Sequence, residues 1–333
     1  MQPKVYAYVS SGAGDEHTIQ WNREAFDALK LLPRVLKAAR NPNTHLELFG
    51  RKLSNPIFIA PTAYHRAIHP DGELATVKGA AEADSLYVVS SFTTTPLEDI
   101  AKNAQTNLWF QLYVTDDRSF TRELVQKAED LGFGAICVTV DTPVVGTRNR
   151  QKRSGFVIPE NIHAPYMIDA TSSSVINTYS QQNPVTWKDI AWLKSFMKVP
   201  LLLKGILHPD DALMGIDHGA SGIIVSNHGA RNLDTVPASI EILPYITERV
   251  NHRVPVLMDG GIRRGTDVIK ALALGARAVL VGKPICYGLA LAGHAGVCKV
   301  LQILQKEFET AMTLCGVSSL AEIDQNLIWK INR

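Results

Sequence analysis

The residues best suited to chemistry lie together in the segment Ser226-Asn-His-Gly-Ala-Arg231. His228 can act as a general base, because the ordinary pKa of histidine lies near neutral pH. Arg231 follows three residues later, and its planar guanidinium can bind a carboxylate through two hydrogen bonds. A histidine alone is more often structural, but here Asp141 could orient the ring and stabilise its protonated form, and Arg148 lies just beyond. This set predicts a site that binds a carboxylate and removes a proton.

A second group of residues suits an anion. The chain reads Asp259-Gly-Gly-Ile-Arg263-Arg264-Gly265 and, further on, Val281-Gly282-Lys283-Pro284. Glycines let the backbone approach a ligand, and the helices that follow would begin with N–H groups free to bind an anion. A tight turn with a surface arginine pair is the alternative. Because two neighbouring strand ends combine glycine with a cation, the sequence favours a phosphate site.

Eight short apolar runs would have to position these residues. Several, such as Leu201-Leu-Leu and Val279-Leu-Val, are continuously apolar, which is typical of parallel strands buried on both faces. Most are followed by a helical pattern. The predicted strands are 56–63, 87–91, 108–114, 135–141, 200–206, 222–227, 255–261 and 278–283. The predicted helices between them are 71–85, 96–104, 116–131, 209–218, 237–250 and 265–274.

This rhythm of strands and helices predicts an α/β fold, specifically one (β/α)8 TIM barrel, with a doubly wound parallel sheet as the alternative. We expect a single domain over residues 1–333. It would have a short N-terminal extension, residues 1–55, with a capped helix near 22–31. A long lid loop, residues 142–185, would follow strand four, because this stretch is basic and then polar, with the fourth helix beginning near Thr186.

Polar residues stand at the end of every predicted strand. The C-terminal ends of barrel strands meet at one face, which is where active sites of this fold lie. Chance would scatter polar residues over both ends, so their clustering predicts a site at this face. The residues are Thr62, Ser90, Gln111, Tyr113, Thr139, Asp141, Lys204, Asn227, His228, Asp259 and Lys283.

The composition excludes several classes of protein. The 34 basic and 32 acidic residues give a net charge of +2, whereas nucleic-acid binding requires a clear basic excess. The four cysteines lack CxxC spacing, which indicates buried, reduced thiols and no metal site. No secretory signal follows Met1, and the apolar window 278–297 contains Lys283-Pro284, which argues against a membrane span. We therefore expect a cytoplasmic protein with no membrane or nucleic-acid partner.

Taken together, these motifs resemble the FMN-dependent α-hydroxy-acid oxidase family, which includes glycolate oxidase, lactate oxidase, mandelate dehydrogenase and the flavocytochrome lactate dehydrogenases. The resemblance runs from about Tyr6 to Asp324, and its most specific motif is the Ser226 to Arg231 segment. The other matching motifs are Pro61-Thr-Ala63, His69-Pro-Asp-Gly-Glu73, Phe110-Gln-Leu-Tyr113, Thr139-Val-Asp141, Lys204-Gly205 and Asp259-Gly-Gly-Ile-Arg263.

The resemblance implies a role for each matching residue. His228 would take the hydroxyl proton of the substrate, with Asp141 as its partner, and Lys204 would stabilise negative charge at the flavin N1–O2 edge. Two arginines and two tyrosines would bind the substrate carboxylate and hydroxyl: Arg148, Arg231, Tyr8 and Tyr113. The residues implied to bind FMN are Pro61, Thr62, Ala63, Ser90, Gln111, Thr139, Lys204, Ser226, Asp259, Gly261, Arg263, Gly282 and Lys283.

Three features depart from the family pattern. Lys283 stands where an arginine is common, so a point charge replaces a bidentate fork at the phosphate. The additional N-terminal helix usual in the family is missing before Tyr8. The lid segment Thr147-Arg-Asn-Arg-Gln-Lys-Arg153 lacks the usual acidic residues, which predicts four uncompensated positive charges at the mouth of the site. These charges would either be solvated or attract an anionic substrate.

The resemblance implies oxidation of an L-2-hydroxy acid to a 2-oxo acid by a homotetramer, with O2 as electron acceptor. Phe92 is smaller than the tryptophan of glycolate oxidase, and with Tyr64 and Val145 it favours lactate or a somewhat larger acid. Three features favour an oxidase: Ala63 at the flavin N5 side, where glycine accompanies poor oxidases; a polar stretch over 158–187 instead of a membrane anchor; and too few residues before the barrel for a haem domain.

Three other functions stay open from the sequence. A soluble FMN-dependent dehydrogenase could pass electrons to a quinone. A cofactor-free isomerase or aldolase could use Lys204 as a Schiff-base lysine and keep the phosphate site, although this leaves His228, Arg231 and Arg148 without a role. A flavin-binding relative without activity is the third, and it is disfavoured because every matched catalytic position is kept.

Overall fold

Eight parallel strands close into a barrel in the computed structural model, which describes residues 1–166 and 184–329. Each strand pairs with the next along the chain, and the last pairs with the first. The predicted (β/α)8 barrel is therefore confirmed. The barrel strands are β3 (Ile57–Ile59), β4 (Tyr87–Ser90), β5 (Leu108–Leu112), β6 (Ile136–Thr139), β7 (Leu201–Ile206), β8 (Gly222–Val225), β9 (Val256–Asp259) and β10 (Ala278–Val281).

Helices follow the strands and cover the barrel. The six helices predicted between the strands are confirmed, and their ends differ from the prediction by at most three residues because the caps and turns lie just outside. The helices are α1 (Pro3–Ser10), α2 (His17–Ala28), α3 (His65–Ile68), α4 (Gly72–Glu82), α5 (Leu97–Asn103), α6 (Arg118–Asp130), α7 (Asn149–Arg153), α8 (Trp187–Phe196), α9 (Pro209–Asp217), α10 (Ser239–Val250), α11 (Gly265–Ala273) and α12 (Lys283–Cys315), followed by short 3-10 turns at Leu320–Glu322 and Gln325–Leu327.

The strand period of two residues divides the barrel interior into layers. An apolar layer of buried side chains fills the middle of the barrel: Phe58, Val88, Trp109, Cys137, Leu202, Ile224, Leu257 and Leu280. Two residues further along the same strands stand Ala60, Ser90, Gln111, Thr139, Lys204, Ser226, Asp259 and Gly282. These eight residues therefore face the interior as well, and those of them that line the cavity form its floor.

The N-terminal extension differs from its prediction. Its helix α2 spans His17–Ala28. It begins at His17 because Asp234 accepts hydrogen bonds from the backbone of His17 and Thr18 at the first turn. The sequence analysis missed α1 and a small hairpin of β1 (Leu46–Leu48) and β2 (Arg51–Leu53). The hairpin packs on the apolar end of the barrel, where Phe49 lies 5.8 Å from the ring of Trp109.

The lid loop predicted over 142–185 is described only in part. Residues 142–166 include the short helix α7, which the sequence analysis missed. Most of the polar stretch predicted over 158–187 lies outside the described residues, because it includes residues 167–183. Beyond them, Thr186 caps α8 through a capping box with Asp189, as the predicted start of the fourth helix requires.

The long helix α12 is apolar enough to suit a membrane span by length and composition alone. Half of its most apolar window is buried inside the fold, where it packs against α4. The backbone is also broken at Ala292 and Gly293. A buried core helix has the same composition, so the apolar composition of α12 does not by itself indicate a membrane span. The four cysteines are free and buried, as predicted.

Removing the largest side chain of the apolar layer should test the packing of the barrel. Trp109 is 3% exposed and contacts the edge of Phe58, so Trp109→Ala should lower the free energy of unfolding by about 3–5 kcal/mol. Urea denaturation measures this loss. Tyr245→Ala on the exposed face of α10 is the control and should change it by less than about 0.5 kcal/mol. Equal effects would contradict a tightly packed interior.

Candidate active site

A cavity of about 240 Å³ opens at the C-terminal ends of the barrel strands. The structure brings nearly all of the sequence-predicted site residues to its wall. These are Tyr8, Pro61, Thr62, Ala63, Ser90, Gln111, Tyr113, Thr139, Arg148, Lys204, His228, Arg231, Asp259, Gly261, Arg263, Gly282 and Lys283. Asp141, Ser226 and Asn227 are the three exceptions, and each is hydrogen-bonded to a residue that lines the wall: His228, Lys204 and Asn22 respectively.

His228 and Asp141 form a hydrogen-bonded pair across the barrel. The Nδ1 atom of His228 lies 2.9 Å from Oδ1 of Asp141. Burial raises the pKa of Asp141, but His228 and Lys204 outweigh it, and the pKa is lowered. The carboxylate is therefore ionised at neutral pH and accepts the Nδ1 proton, which leaves Nε2 of the neutral ring as a proton acceptor.

The backbone around this pair is specialised for it. His228, Gly229 and Ala230 all have left-handed backbone angles, with φ between 57° and 64°. Such angles cost energy for residues with a Cβ, and they cluster at active sites because the surrounding structure must hold them in place. Gly205 lies beside the carboxylate, and a Cβ there would stand 2.4 Å from Cγ of Asp141. Glycine at position 205 therefore provides the space that Asp141 occupies.

Two guanidinium groups meet beside Tyr8. Arg231 Nη1 donates to the carbonyl oxygens of Tyr8 at 2.6 Å and Ser11 at 2.9 Å. Arg148 Nε donates to the carbonyl oxygen of Arg231 at 3.0 Å. Burial and the nearby Arg148 lower the pKa of Arg231 to about 10, so the group still carries its charge at neutral pH. Two adjacent cations and a phenol at one end of the cavity suit a carboxylate.

Lys204 lies at the floor of the cavity in a buried ion pair. Its Nζ is 2.9 Å from Oδ2 of Asp259 and donates to Ser226 Oγ at 3.0 Å. Burial lowers the pKa of Lys204, but Asp259 and Asp141 outweigh it, and the pKa is raised. Lys204 therefore stays charged. Ser226 reaches the site through this contact and also accepts the backbone N–H of His228 at 3.0 Å.

Two polar atoms at the cavity floor have no partner among the described residues. They are Nε2 of Gln111 and Oδ1 of Asp259, both buried. The other side of the Gln111 amide is held in place, because its Oε1 accepts from Ser90 Oγ at 3.0 Å. Buried polar atoms in native proteins are almost always hydrogen-bonded. A polar ligand placed on this floor would satisfy both atoms.

A further part of the cavity is strongly cationic. Lys283 is the first residue of α12, and its Nζ donates to the carbonyl oxygen of Gly229 at 3.2 Å. Burial, together with Arg231 and Arg263, lowers the pKa of Lys283 to about 7. Burial also lowers the pKa of Arg263. Clustered cations at a helix N-terminus are a suitable site for a phosphate dianion.

Aromatic rings line another part of the cavity wall. Phe92 lies edge-on to Tyr113 at 5.4 Å, and Tyr64 lies 5.6 Å from Phe92 and 6.1 Å from Tyr8. Val145 also lines this wall, as predicted for the side-chain pocket. Burial and the nearby Asp141 raise the pKa of Tyr113 to about 12, so its phenol is a hydrogen-bond donor at neutral pH.

The sequence analysis missed residues that the N-terminal helix and α12 bring to the cavity. Asn22 and Arg23 arrive from α2, and Cys286 from α12. The amides of Asn22 and Asn227 exchange two hydrogen bonds, at 3.1 and 2.8 Å, which connect α2 to the loop that carries His228. No local pattern marks Asn22, because its partner is 205 residues away.

The prediction of four uncompensated charges in the lid is wrong for Arg150. Its Nε lies 3.0 Å from Oε1 of Glu16 and 3.1 Å from Oε2. The acidic partner comes from the N-terminal extension, which sequence spacing could not reveal. Lys152 and Arg153 on the same helix are exposed.

A closed barrel with these features at its C-terminal face defines a class of enzyme: a TIM-barrel oxidoreductase that binds a phosphorylated ring cofactor. The chain belongs to the FMN-dependent dehydrogenase family, which matches residues 1–330. It is 45% identical to L-lactate oxidase from Nostoc sp. over 97% of this chain and 93% of that protein. It is 43% identical to glycolate oxidase from Spinacia oleracea over 97% of this chain and 90% of that protein.

A third relative and a solved structure agree with this assignment. The 2-hydroxyacid oxidase of Dictyostelium discoideum is 44% identical over 99% of this chain and 87% of that protein. The crystal structure of mandelate oxidase with (S)-2-phenylpropionate superposes with a TM-score of 0.90 at 38% identity, covering 99% of this chain and 94% of that one.

The cofactor of the family is FMN, and the cavity fits it. The unpaired Gln111 Nε2 and Asp259 Oδ1 suit the polar edges of the ring system and the ribityl chain, and Lys204 supplies a cation beside them. Lys283 and Arg263 surround the position suited to the phosphate. The predicted FMN cofactor therefore agrees both with the family and with the chemistry of the donor groups.

The lowered pKa of Lys283 should couple FMN binding to pH. A bound phosphate would raise that pKa, so affinity is full below about pH 7, where Lys283 is already protonated. Above pH 7 binding must take up a proton, and the affinity should fall by at most about tenfold per pH unit. Titration of the apoprotein with FMN between pH 7 and 9, followed by flavin fluorescence, measures this.

Lys283→Arg is the matched control, because a guanidinium stays charged throughout this range. The variant should bind FMN with nearly constant affinity between pH 7 and 9. Riboflavin, which has no phosphate, should show little pH dependence with either protein. The same pH dependence for the variant and the wild type would contradict the assignment to Lys283.

Proposed function

We propose that the protein oxidises an L-2-hydroxy acid, lactate-like in size, to the 2-oxo acid and reduces O2 to H2O2. The substrate gives up two electrons and two protons, and O2 takes up the same number, so the reaction balances. The observation that carries the proposal is the His228–Asp141 pair facing the same cavity as the guanidinium groups of Arg231 and Arg148. A base beside a carboxylate site is what a 2-hydroxy acid requires.

The role of each side chain in this reaction follows from its charge and its position in the cavity. Arg231, Arg148 and the Tyr8 phenol bind the carboxylate and so fix the orientation of the substrate. His228 Nε2 then accepts the hydroxyl proton, and Asp141 stabilises the imidazolium that results. FMN held beside these groups would supply the two-electron acceptor of the reaction. Lys204 holds a positive charge at the cavity floor, where negative charge would develop.

The aromatic wall supports a substrate with a small or medium apolar side chain. Phe92, Tyr64 and Val145 offer carbon and ring edges rather than a charged group to this part of the cavity. The similar proteins are named as oxidases of lactate, glycolate and 2-hydroxy acids, and the similar crystal structure is that of a mandelate oxidase. Lactate lies within this range and fits a wall built from Phe92 rather than a larger ring.

The electrostatics of Lys204 disfavour a cofactor-free aldolase or isomerase. A Schiff-base lysine must be a neutral amine when it attacks a carbonyl. Lys204 is buried in an ion pair with Asp259, which raises the pKa and keeps the ammonium protonated. That alternative also gives no task to the His228–Asp141 pair.

Replacing the base should separate chemistry from cofactor binding. General-base catalysis contributes typically about 10²–10⁴-fold, so His228→Gln should lower kcat by about that factor while FMN stays bound. Steady-state turnover and the flavin absorbance of the purified variant measure the two effects. His208→Gln, at an exposed helix cap, is the control and should leave both unchanged. Near-normal turnover of the His228 variant would overturn its role.

The electron acceptor can be tested directly. The bound flavin is first bleached with L-lactate in the absence of air and then mixed with oxygenated buffer in a stopped-flow instrument. Fast recovery of the absorbance, with one H2O2 formed per flavin, is the result expected for an oxidase. Recovery over minutes in air but rapid recovery with a quinone would instead show a dehydrogenase, and the interpretation of Ala63 would be wrong.

A further inference from the structure

An ion pair joins the lid to the N-terminal extension. Arg150, on helix α7, contacts both carboxylate oxygens of Glu16 through Nε, at 3.0 and 3.1 Å. Its Nη1 also donates to Ser10 Oγ at 2.8 Å. Both side chains are partly exposed, at 39% and 26%, so neither is needed to fill the core. We call this pair the latch.

The latch is the centre of a wider set of contacts between the same two segments. Glu16 Oε1 also accepts the backbone N–H of Gly12 at 2.8 Å. The Gly14 N–H donates to the carbonyl oxygen of Thr147 at 2.8 Å, and Asn149 Nδ2 donates to the carbonyl oxygen of Gly14 at 3.1 Å. Residues 10–16 and 147–150 are therefore bound together by side-chain and backbone hydrogen bonds.

Each of the two segments carries a group that binds the substrate carboxylate in the proposed function. Tyr8 lies at the end of α1, immediately before the latched loop, and Arg148 lies between Thr147 and Asn149. Arg231 joins them, because it donates to the carbonyl oxygens of Tyr8 and Ser11 and accepts from Arg148. A change in the spacing of the two segments would separate the groups that must converge on one carboxylate.

We propose that Glu16 and Arg150 are positioning residues for substrate binding, acting through Tyr8 and Arg148. This inference rests on the proposed function for the identity of the substrate. It differs from simple attraction of an anion by a basic lid, because a latch depends on the fork geometry of one arginine and on its acidic partner. Attraction depends only on the number of positive charges and weakens with salt.

The experiment compares four single variants of the FMN-loaded enzyme and the double variant of Arg150→Ala with Glu16→Gln. Arg150→Ala removes the latch, Glu16→Gln removes its charge, Arg150→Lys keeps the positive charge without the fork, and Lys152→Ala removes one exposed charge from the same helix. KM and kcat for L-lactate are measured at low and high salt. Hydrogen exchange of the backbone around Gly12 and Gly14 gives a readout that does not depend on turnover.

The latch predicts a specific pattern. Arg150→Ala should raise KM about three- to tenfold with kcat nearly unchanged, and Glu16→Gln combined with it should add little, because the two residues act through one contact. Arg150→Lys should recover only part of the loss. Exchange near Gly12 and Gly14 should accelerate in Arg150→Ala and stay unchanged in Lys152→Ala.

Other patterns would overturn the proposal. Equal increases of KM in Arg150→Ala and Lys152→Ala, both vanishing at high salt, would mean charge attraction instead. Unchanged KM and unchanged exchange in Arg150→Ala would mean that the contact positions nothing. If the wild type oxidises no 2-hydroxy acid, the proposed function fails, but the exchange measurement still decides whether the latch holds the two segments together.

Discussion

The two-residue period of the barrel strands is the constraint on which the site depends. Because inward-facing side chains alternate with outward-facing ones, the strands that build the apolar layer must present their next inward residues at the cavity floor. The apolar layer fixes the height and direction of that floor. Lys204 and Asp259 can be buried side by side only because the layer below them is closed and they satisfy each other.

The distribution of charge follows from the same geometry. Few acidic groups lie at the cavity, and they form ion pairs there: Asp141 with His228, and Asp259 with Lys204. Burial lowers the pKa of three other cations at the cavity, Arg231, Arg263 and Lys283, and the first two lower the pKa of Lys283 further. A site built with more positive than negative charge is completed by anions, which a carboxylate substrate and a phosphorylated cofactor both supply.

The sequence predicts the barrel and most of the site for one reason. Buried parallel strands read as short apolar runs, and their polar terminal residues belong to the same strands, so local pattern places both. It fails where the partner is distant. Asn22, Arg23 and the Glu16–Arg150 pair depend on contacts between the first helices and loops more than a hundred residues away. The hairpin at Leu46–Leu48 and Arg51–Leu53 is too short for an alternating pattern to emerge.

The paired amides of Asn22 and Asn227 have a consequence for the order in which the molecule assembles. The helix that contributes Asn22 is made first, but the loop that receives it is made more than two hundred residues later. Contacts of such large sequence separation form late, after the chain between them has been ordered. During synthesis the surface that covers helix α2 is therefore absent at first. Phe26, which is buried in the folded protein, is then exposed and can cause aggregation. Docking of this segment brings Asn22 and Arg23 to the cavity wall and so completes the active site.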